Sequence, residues 1–238
     1  MKRVRQMVAV LFVLLCFSSS LFAEGEAVEG LVLAKAPIDR RDLESVKRGA
    51  KFFAGTCMAC HTMVYMRYNQ LAQDAGVIYD KMPINVKSWP NNVVPPDLSL
   101  EASVRGVDWI YTYLHSFYKD PKQPSGVNNL IFPNTAMPDI LAPYQGEQVL
   151  VEHPMHDLLG HVEWYDMVQL VQQGSMKPEA FDQLTADITN FLAYASEPFY
   201  ISQHDIGFWV IGFLVILFVL MYFLKREYWK DVKRHKEE

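Results

Sequence analysis

Two cysteines and a histidine stand together in the segment CMACH, as Cys57, Cys60 and His61. Two thiols separated by two residues, with a histidine directly after them, form the attachment pattern of a c-type haem. The thiols add to the two vinyl groups of the porphyrin, and the histidine binds the iron from the proximal side. The segment therefore predicts one covalently bound haem c.

Three other kinds of site use similar residues. A thioredoxin-like redox pair follows a strand and opens a helix, whereas this pair ends the helical pattern DLESVKRGAKFFAGT, with Leu43, Val46, Ala50 and Phe53 on one stripe. A zinc site needs two further ligands, which the histidines of EHPMHDLLGH supply in principle. A structural disulfide suits an oxidising compartment but leaves the adjacent histidine without a role. Haem attachment accounts for all three residues.

A methionine sulfur opposite the histidine would raise the reduction potential and close the iron to small ligands. Met137 lies in FPNTAMPDI, which contains two prolines and has no helical period, so it is expected in a loop that can drape over the distal face. Met155, in the segment HPMH, is the alternative. We expect Met137 to be the sixth ligand. The nearby His153, His156 and His161 lie among acidic residues and are expected to be ordinary surface residues.

An apolar run lies near each end of the chain. Residues 1–23 combine a basic start, an apolar run too short to span a bilayer and the small residues SSSLFA, which predicts a cleaved secretory signal. Residues 206–224 contain no charge and would form a helix of about 28 Å, which predicts a transmembrane anchor. The basic tail 225–238 is expected in the cytoplasm, so that 24–205 form a periplasmic domain. The short signal indicates the inner membrane of a bacterium.

The charge of the exported body restricts its partners. Three of the 22 Lys/Arg lie in the signal and six in the tail, and four of the 27 Asp/Glu lie in the tail. The body therefore carries 13 basic and 23 acidic side chains, a net charge near −10. This balance argues against nucleic acid and favours a basic protein partner that is recruited by electrostatic steering. The alternative is that the charge only keeps the domain soluble.

Periodicity predicts two helices that bound the body. The first begins near Asp42, a plausible N-cap, and runs into the cysteine pair. The second lies in LTADITNFLAYASEP, where Pro198 stops further helix. Its apolar face is formed by Leu184, Ile188, Phe191 and Ala195. Between the helices, 81–96 and 121–143 are rich in Pro, Asn and Gly and are predicted to be loops.

Five segments resemble the cytochrome c1 family, the haem subunit of ubiquinol–cytochrome c oxidoreductase, or cytochrome bc1 complex. RGAKFFAGTCMACHTMVYMRYNQL resembles the haem-attachment helix and NNVVPPDLS the proline-rich haem-pocket loop. VRGVDWIYTYL resembles the arginine-bearing helix that follows, NTAMP the methionine loop, and LTADITNFLAYASEP the last soluble helix. The sequence C-x-x-C-H is common to c-type cytochromes, whereas PPDLS at this distance, with a single tail anchor, is more specific.

The resemblance implies a mainly α chain: a class I cytochrome c fold with long haem-wrapping loops plus one C-terminal transmembrane helix. In this fold the two terminal helices cross, and Gly49 would permit their close approach. The resemblance assigns a role to six residues. Thioether attachment is implied for Cys57 and Cys60, iron ligation for His61 and Met137, pocket shape for Pro95, and pairing with a haem propionate for Arg105.

The resemblance also implies an electron-transfer subunit that is not an enzyme on its own. Electrons would come from a Rieske iron–sulfur protein and leave to a soluble basic cytochrome c, beside cytochrome b in a dimeric complex. Acidic candidates for docking are Glu147, Glu152, Asp157 and Glu163. Two alternatives stay open: a free-standing anchored cytochrome that feeds a terminal oxidase, and an anchored haem sensor or peroxidase with an open iron site.

Overall fold

The computed structural model describes residues 31–84, 86, 89, 93–151 and 161–234. The predicted signal 1–23 and the tail end 235–238 lie outside these residues, as do His153, His156, Met155, Glu152 and Asp157. Helix accounts for 53% of the structure and strand for 11%, which confirms the predicted mainly α class.

The elements follow one another in this order. The helices are α1 (Leu43–Gly55), α2 (Gln70–Asp74), α3 (Glu101–Val104), α4 (Val107–His115), α5 (Ala142–Gln145), α6 (Pro178–Ser196) and α7 (Tyr200–Arg234). The strands are β1 (Leu31–Val32), β2 (Phe117–Lys119), β3 (Val127–Asn129), β4 (Gly146–Leu150), β5 (Val162–Glu163) and β6 (Val168–Gln173). Short 3-10 turns occupy Cys57–Ala59, Val64–Tyr68, Tyr79–Lys81 and Trp164–Asp166.

The chain forms two compact units, which we name after the predicted iron ligand that each contains. The histidine unit comprises the described residues of Ala36–Ser103 and Met176–Glu238, and it contains His61. The methionine unit comprises 31–35 and the described residues of Val104–Ser175, and it contains Met137.

Helix α1 of the histidine unit begins where the sequence predicts. The Asp42 side chain accepts hydrogen bonds from the N–H groups of Glu44 and Ser45, which confirms it as the N-cap. Val46, Ala50 and Phe53 are fully buried along the predicted stripe. The prediction was wrong for Leu43, which is 40% exposed because the first residue of the helix lies beyond the stretch that packs.

Helices α1 and α6 pack against each other at Gly49. A Cβ atom added to Gly49 would lie 1.9 Å from the Asp187 carbonyl oxygen and 2.9 Å from the Phe191 Cβ, distances that no side chain tolerates. The predicted close approach is therefore confirmed, and it requires glycine. One helical turn away, the rings of Phe53 and Phe191 lie 5.5 Å apart in tilted contact.

A buried carboxylate fastens the same crossing. Asp187 accepts a 2.7 Å hydrogen bond from Ser45 Oγ and two from the Arg48 guanidinium, at 2.7 Å to Nε and 2.8 Å to Nη2. The Arg48 partner is half exposed, while the Asp187 side chain is buried. These bonds keep the carboxylate satisfied inside the helix interface, so α1 enters the haem-attachment segment from a fixed direction.

The apolar C-terminal helix is longer than the predicted anchor. Helix α7 is continuous over 35 residues, and its candidate membrane span by length and composition is Ser202–Lys230, against 206–224 from the sequence. None of this span is buried against the rest of the protein. An apolar helix that no protein core covers fits a single-pass membrane anchor.

A clamp joins the start of the histidine unit to the junction before α7. Helix α6 ends at Ser196, before Pro198 as predicted, and α7 begins at Tyr200. Arg40 forms an ion pair with Glu197, and its guanidinium carbon lies 4.9 Å from the centre of the Tyr200 ring. Arg40, which belongs to neither α6 nor α7, therefore stabilises the junction between these two helices.

The methionine unit contains three two-stranded sheets among its described residues. Strands β1 and β5 pair in parallel, whereas β2 with β3 and β4 with β6 pair antiparallel. The sequence did not predict these strands, because runs of two to six residues show too little alternation. Part of the predicted loop 121–143 is therefore strand β3. The core of the unit gathers around α4 and includes Trp109, Ile110, Leu114, Phe117 and Ile131.

Candidate haem site

The attachment segment forms one tight turn at the end of α1. The helix ends at Gly55, and Cys57–Ala59 continue as a 3-10 turn in which the His61 N–H donates to the Cys57 carbonyl at 2.8 Å. Cys57 is half-buried and Cys60 is exposed, and neither is in a disulfide. The turn therefore presents two free thiols and the imidazole within five residues, as thioether attachment requires.

The state of the Cys57 thiol argues against a thioredoxin-like pair. Burial raises the pKa of Cys57 to about 12. A dithiol that exchanges electrons needs a thiolate at neutral pH, and hence a pKa below the ordinary value. The Cys57 thiol therefore lacks the lowered pKa that is typical of a redox-active cysteine.

The His61 ring is held in the tautomer that binds a metal ion. Its Nδ1 lies 2.8 Å from the Pro96 carbonyl oxygen, and because a carbonyl only accepts, Nδ1 carries the proton. Burial lowers the pKa of His61, which keeps the ring neutral. Nε2 then carries a lone pair, the arrangement typical of a histidine ligand. The sequence named Pro95 for this pocket, and the contact with His61 comes from the next residue.

Two loops of the histidine unit are locked together beside this ring. Asp97 Oδ2 accepts from Thr62 Oγ1 at 2.7 Å and from the Val64 N–H at 2.9 Å, while Oδ1 accepts from the Ser99 N–H at 2.9 Å. The Leu98 N–H donates to the Thr62 carbonyl at 2.9 Å. Segment 95–99 is therefore fixed against 61–65. The motif PPDLS was noticed in the sequence, but nothing there showed that its carboxylate turns inward.

The loop that carries Met137 is pinned by buried asparagines. Asn129 Nδ2 donates to the Tyr113 carbonyl at 2.9 Å, and its Oδ1 accepts from the N–H groups of Ile131 and Phe132 at 3.1 and 3.3 Å. Asn129 is fully buried. The Asn129 side chain thus binds three backbone groups that would otherwise need other partners, and these bonds set the direction in which the chain leaves β3.

Further along the loop, Thr135 holds the residues next to Met137. Its Oγ1 shares a 2.9 Å hydrogen bond with the Tyr113 hydroxyl and accepts from the Met137 N–H at 3.4 Å. The Asn134 N–H donates to Asn128 Oδ1 at 2.8 Å, and Asn134 has a positive φ of 62°. Met137 itself is half-buried. Its backbone is ordered by this contact with Thr135.

A buried donor next to Arg105 fits a carboxylate of the haem. Arg105 lies in the turn between α3 and α4, not within the helix as the resemblance implied, and its guanidinium carbon lies 4.8 Å from the centre of the Trp109 ring. Trp109 is only 6% exposed, and among the described residues its Nε1–H has no hydrogen-bond acceptor. An orphaned buried donor costs about 1–3 kcal/mol. A propionate oxygen would remove that cost, so these residues fit a haem.

The structure places the predicted site residues in two groups. Cys57, Cys60, His61 and Pro95 belong to the histidine unit, whereas Arg105 and Met137 belong to the methionine unit. Sequence reasoning missed Pro96, Asp97, Trp109, Asn129 and Thr135. Their signal was faint, because a buried polar residue in a polar loop is indistinguishable from a surface residue until its partners are known.

Two of the four acidic docking candidates lie within the described residues. Glu147 pairs with the Lys119 ammonium at 2.6 Å, so its charge is partly neutralised on the surface. Glu163 is half-buried in β5. His161, the described member of the histidine cluster, is exposed.

Comparison with known proteins identifies the family. The sequence model of the Cytochrome C1 family matches residues 33–89 and 84–232. The chain is 42% identical to the cytochrome c1 of Allochromatium vinosum over 96% of its own length and 99% of that protein. It is 36% identical to a protein of Nitrosomonas europaea named ammonia monooxygenase gamma subunit, over 93% and 97% of the two chains.

A more distant relative comes from a mitochondrion. The chain is 28% identical to the mitochondrial cytochrome c1 haem protein of Schizosaccharomyces pombe, over 82% of its own length and 69% of that protein. The matches cover the attachment turn, both units and the apolar helix. The chain therefore belongs to the cytochrome c1 family, whose members bind one covalent haem c.

Proposed function

We propose that this chain is the electron-transfer subunit of a cytochrome bc1 complex, taking electrons from a Rieske iron–sulfur protein and delivering them to a soluble cytochrome c. The observation that carries the proposal is the His61 Nδ1–H bond to the Pro96 carbonyl, directly after two free cysteines. It prepares Nε2 for iron in a chain of the cytochrome c1 family.

Seven residues are proposed to hold the haem, which when bound supplies a one-electron couple between ferric and ferrous iron. Cys57 and Cys60 attach the porphyrin, and His61 Nε2 is the proximal ligand. Met137 is the distal ligand, and its loop is ordered by Asn129 and Thr135. Pro95 shapes the pocket, and Arg105, joined by the Trp109 N–H, binds a propionate.

With two protein ligands on the iron, the proposed haem has no open position at which a substrate could bind the metal. We therefore propose that it is a redox subunit of an oxidoreductase complex and not an enzyme on its own. Its residues hold the cofactor near partner proteins, exclude small ligands and set the reduction potential.

The charge of the body supports a basic acceptor. A net charge near −10 attracts a basic cytochrome c at long range, which favours fast and loose encounters. The rate at which the reduced subunit donates to a basic cytochrome c should fall as ionic strength rises, because salt screens charges beyond about 10 Å at 0.1 M. A rate that does not depend on salt would refute steering but leave the redox role intact.

We also propose the placement in the membrane. Helix α7 anchors the chain in the inner membrane of a bacterium, with 24–205 in the periplasm, after cleavage of 1–23, and 225–238 in the cytoplasm. By the same family membership we propose cytochrome b as a neighbour and a dimeric complex. Cysteine labelling at Asp120 and Lys230 positions from the two sides of sealed vesicles would test this orientation.

Optical spectroscopy tests the haem and its ligands together. We expect a pyridine haemochrome spectrum of haem c, and a long-wavelength charge-transfer band of methionine–iron bonding in the ferric protein that disappears in Met137→Ala. Carbon monoxide binding to reduced wild-type protein would instead support the sensor or peroxidase alternative. A band that persists in Met137→Ala would show that another residue, such as Met155, is the ligand.

Purification of the tagged chain from its own membranes tests the complex. Co-isolation of cytochrome b and a Rieske protein is the expected result. The Nitrosomonas europaea relative raises a second possibility, because its name assigns it to ammonia monooxygenase. Co-isolation with an oxygenase, or isolation of the haem-loaded chain alone with a terminal oxidase as acceptor, would contradict the proposed complex.

A further inference from the structure

One carboxylate in a loop of the histidine unit, that of Asp97, accepts hydrogen bonds at both of its oxygens. Asp97 is only half-buried, yet each of its oxygens accepts a backbone N–H, from Val64 on Oδ2 and from Ser99 on Oδ1, both at 2.9 Å. Thr62 Oγ1 adds a third donor on Oδ2 at 2.7 Å. Two of these donors come from the segment that directly follows His61.

This carboxylate lies next in sequence to the group that binds the histidine ring. The carbonyl of Pro96 accepts from His61 Nδ1 at 2.8 Å. On the other side of Asp97, the Leu98 N–H donates to the Thr62 carbonyl at 2.9 Å, so Pro96 is tied to the His61 segment from its C-terminal side by several bonds. A rotation of the Pro96 carbonyl away from the ring would have to break them together.

We propose that Asp97 is a positioning residue, which holds the Pro96 carbonyl against His61 Nδ1 and so fixes the orientation and donor strength of the iron ligand. The proposal rests on the proposed role of His61 as proximal ligand. A carbonyl that accepts from Nδ1–H raises the basicity of Nε2. A more basic ligand stabilises ferric over ferrous iron, so loosening this bond should raise the reduction potential.

The ionisation state of Asp97 agrees with this role. Burial alone would raise the pKa of Asp97, but hydrogen bonds from Ser99, Thr62 and Val64 outweigh it and lower the pKa. The side chain is therefore a carboxylate at neutral pH, and it accepts from all three donors at once.

An amide cannot replace this carboxylate. Because each oxygen of Asp97 faces a backbone N–H, Asp97→Asn places its NH2 group against a donor in either orientation. Asp42 offers a matched control in the same unit, since its Oδ1 alone accepts from the N–H groups of Glu44 and Ser45, both at 3.1 Å. Asp42→Asn keeps that oxygen and loses the same charge.

The experiment uses the haem-loaded full chain in detergent and two readouts. The first is the midpoint potential. The second is the solvent exchange rate of the His61 Nδ1 proton, measured by NMR in the diamagnetic ferrous protein. We expect Asp97→Asn to raise the potential and to speed the exchange several-fold, and Asp42→Asn to change neither.

A neutral variant separates positioning from charge. Thr62→Val removes one donor to Asp97 without altering any charge, and we expect a smaller change in the same direction in both readouts. If Asp97→Asn shifts the potential but the proton exchanges as slowly as in the wild type, Asp97 acts through its charge alone and the proposal is wrong. If Asp97→Asn does not accumulate, Thr62→Val decides by the same two readouts.

The outcomes distinguish this proposal from the proposed function. A wild-type protein without a low-spin ferric haem signal would refute His61 and Met137 as ligands. A wild-type protein with that signal, and an Asp97→Asn variant identical to it in both readouts, would refute only the role of Asp97.

Discussion

The segments that carry the two proposed iron ligands are ordered in different ways. On the histidine side the ring itself is held, by a hydrogen bond from Nδ1 to a backbone carbonyl that Asp97 fixes in turn. On the methionine side the hydrogen bonds of the described residues hold the backbone, because Asn129 binds the N–H groups of Ile131 and Phe132 and Thr135 binds that of Met137.

The difference follows from the chemistry of the side chains. Imidazole has a second nitrogen that can donate, so its surroundings can select a tautomer, an orientation and a donor strength. A thioether has no such handle and is a weak acceptor at best. A protein can therefore tune the histidine directly, but it can only place the methionine by ordering the loop around it.

The largest expected effect tests the ligands themselves. We expect His61→Ala to reduce the yield of low-spin haem protein roughly tenfold or more, because losing a ligand costs at least as much as losing its supporting contacts. Met137→Ala should keep covalent haem and lose only the sixth bond, which lowers the potential and admits carbon monoxide. Haem content per chain and carbon monoxide titration measure both. Equal losses in the two variants would contradict the proposed difference.

The second prediction concerns the scaffold of the histidine side. Gly49→Ala forces a Cβ into the Asp187 carbonyl, and we expect a loss of about 3 kcal/mol in the free energy of unfolding. Gly55→Ala is the matched control in the same helix, since its Cβ would have no heavy atom within 4 Å. Urea unfolding followed by circular dichroism measures both. A Gly49→Ala protein as stable as the control would contradict the crossing.

The third prediction concerns the loop on the methionine side. Asn129→Ala leaves the N–H groups of Ile131 and Phe132 without their acceptor, and we expect a local loss of about 2 kcal/mol. The methionine–iron band should then disappear at lower urea concentration than in the wild type, while the haem stays attached. Gln123→Ala removes exposed hydrogen bonds to Asn134 and Asp120 and should leave the band unchanged. A band that is equally resistant in both variants would contradict the pinning role.

The smallest expected effect is a pH dependence on the histidine side. The lowered pKa of Asp97 contributes stability that is present above its unfolded value, near 3.8, and is lost as the pH falls through the folded value. The difference in unfolding free energy between wild type and Asp97→Asn should therefore be constant above about pH 5 and shrink below it. A difference that grows on acidification would contradict the sign of this shift.

Local rules predicted the scaffold of the histidine unit well. The capping residue Asp42 and the stripe of Val46, Ala50 and Phe53 follow from residue type and spacing, and both are confirmed. The close approach at Gly49 was implied by the family resemblance, and it is confirmed as well. The end of α6 before Pro198 follows from the ring of proline. Leu43 was the exception, because periodicity describes a stripe but not where a partner helix stops covering it.

The supporting contacts of the site were beyond sequence reasoning. Asp97 and Asn129 each have a partner 35 or 16 residues away besides their local ones, and the Trp109 indole N–H has no acceptor among the described residues. The sequence shows these residues only as polar or aromatic positions, and the fold is needed to show which atoms they contact. The sequence did not predict the short strands for a related reason, because their pairing depends on segments that are distant in the chain.

The clamp that Arg40 forms with Glu197 and Tyr200 limits how far the histidine unit can move relative to helix α7. Three residues separate α6 from α7, and Arg40 binds both Glu197 and Tyr200 across them. Helix α7 would be about 52 Å long, while a bilayer core is about 30 Å thick, so the helix is long enough to extend beyond the hydrocarbon core. With so few residues between the two helices, the domain is expected to move little relative to its proposed anchor. The diffusion that leads to an encounter would then be mainly that of the proposed soluble acceptor.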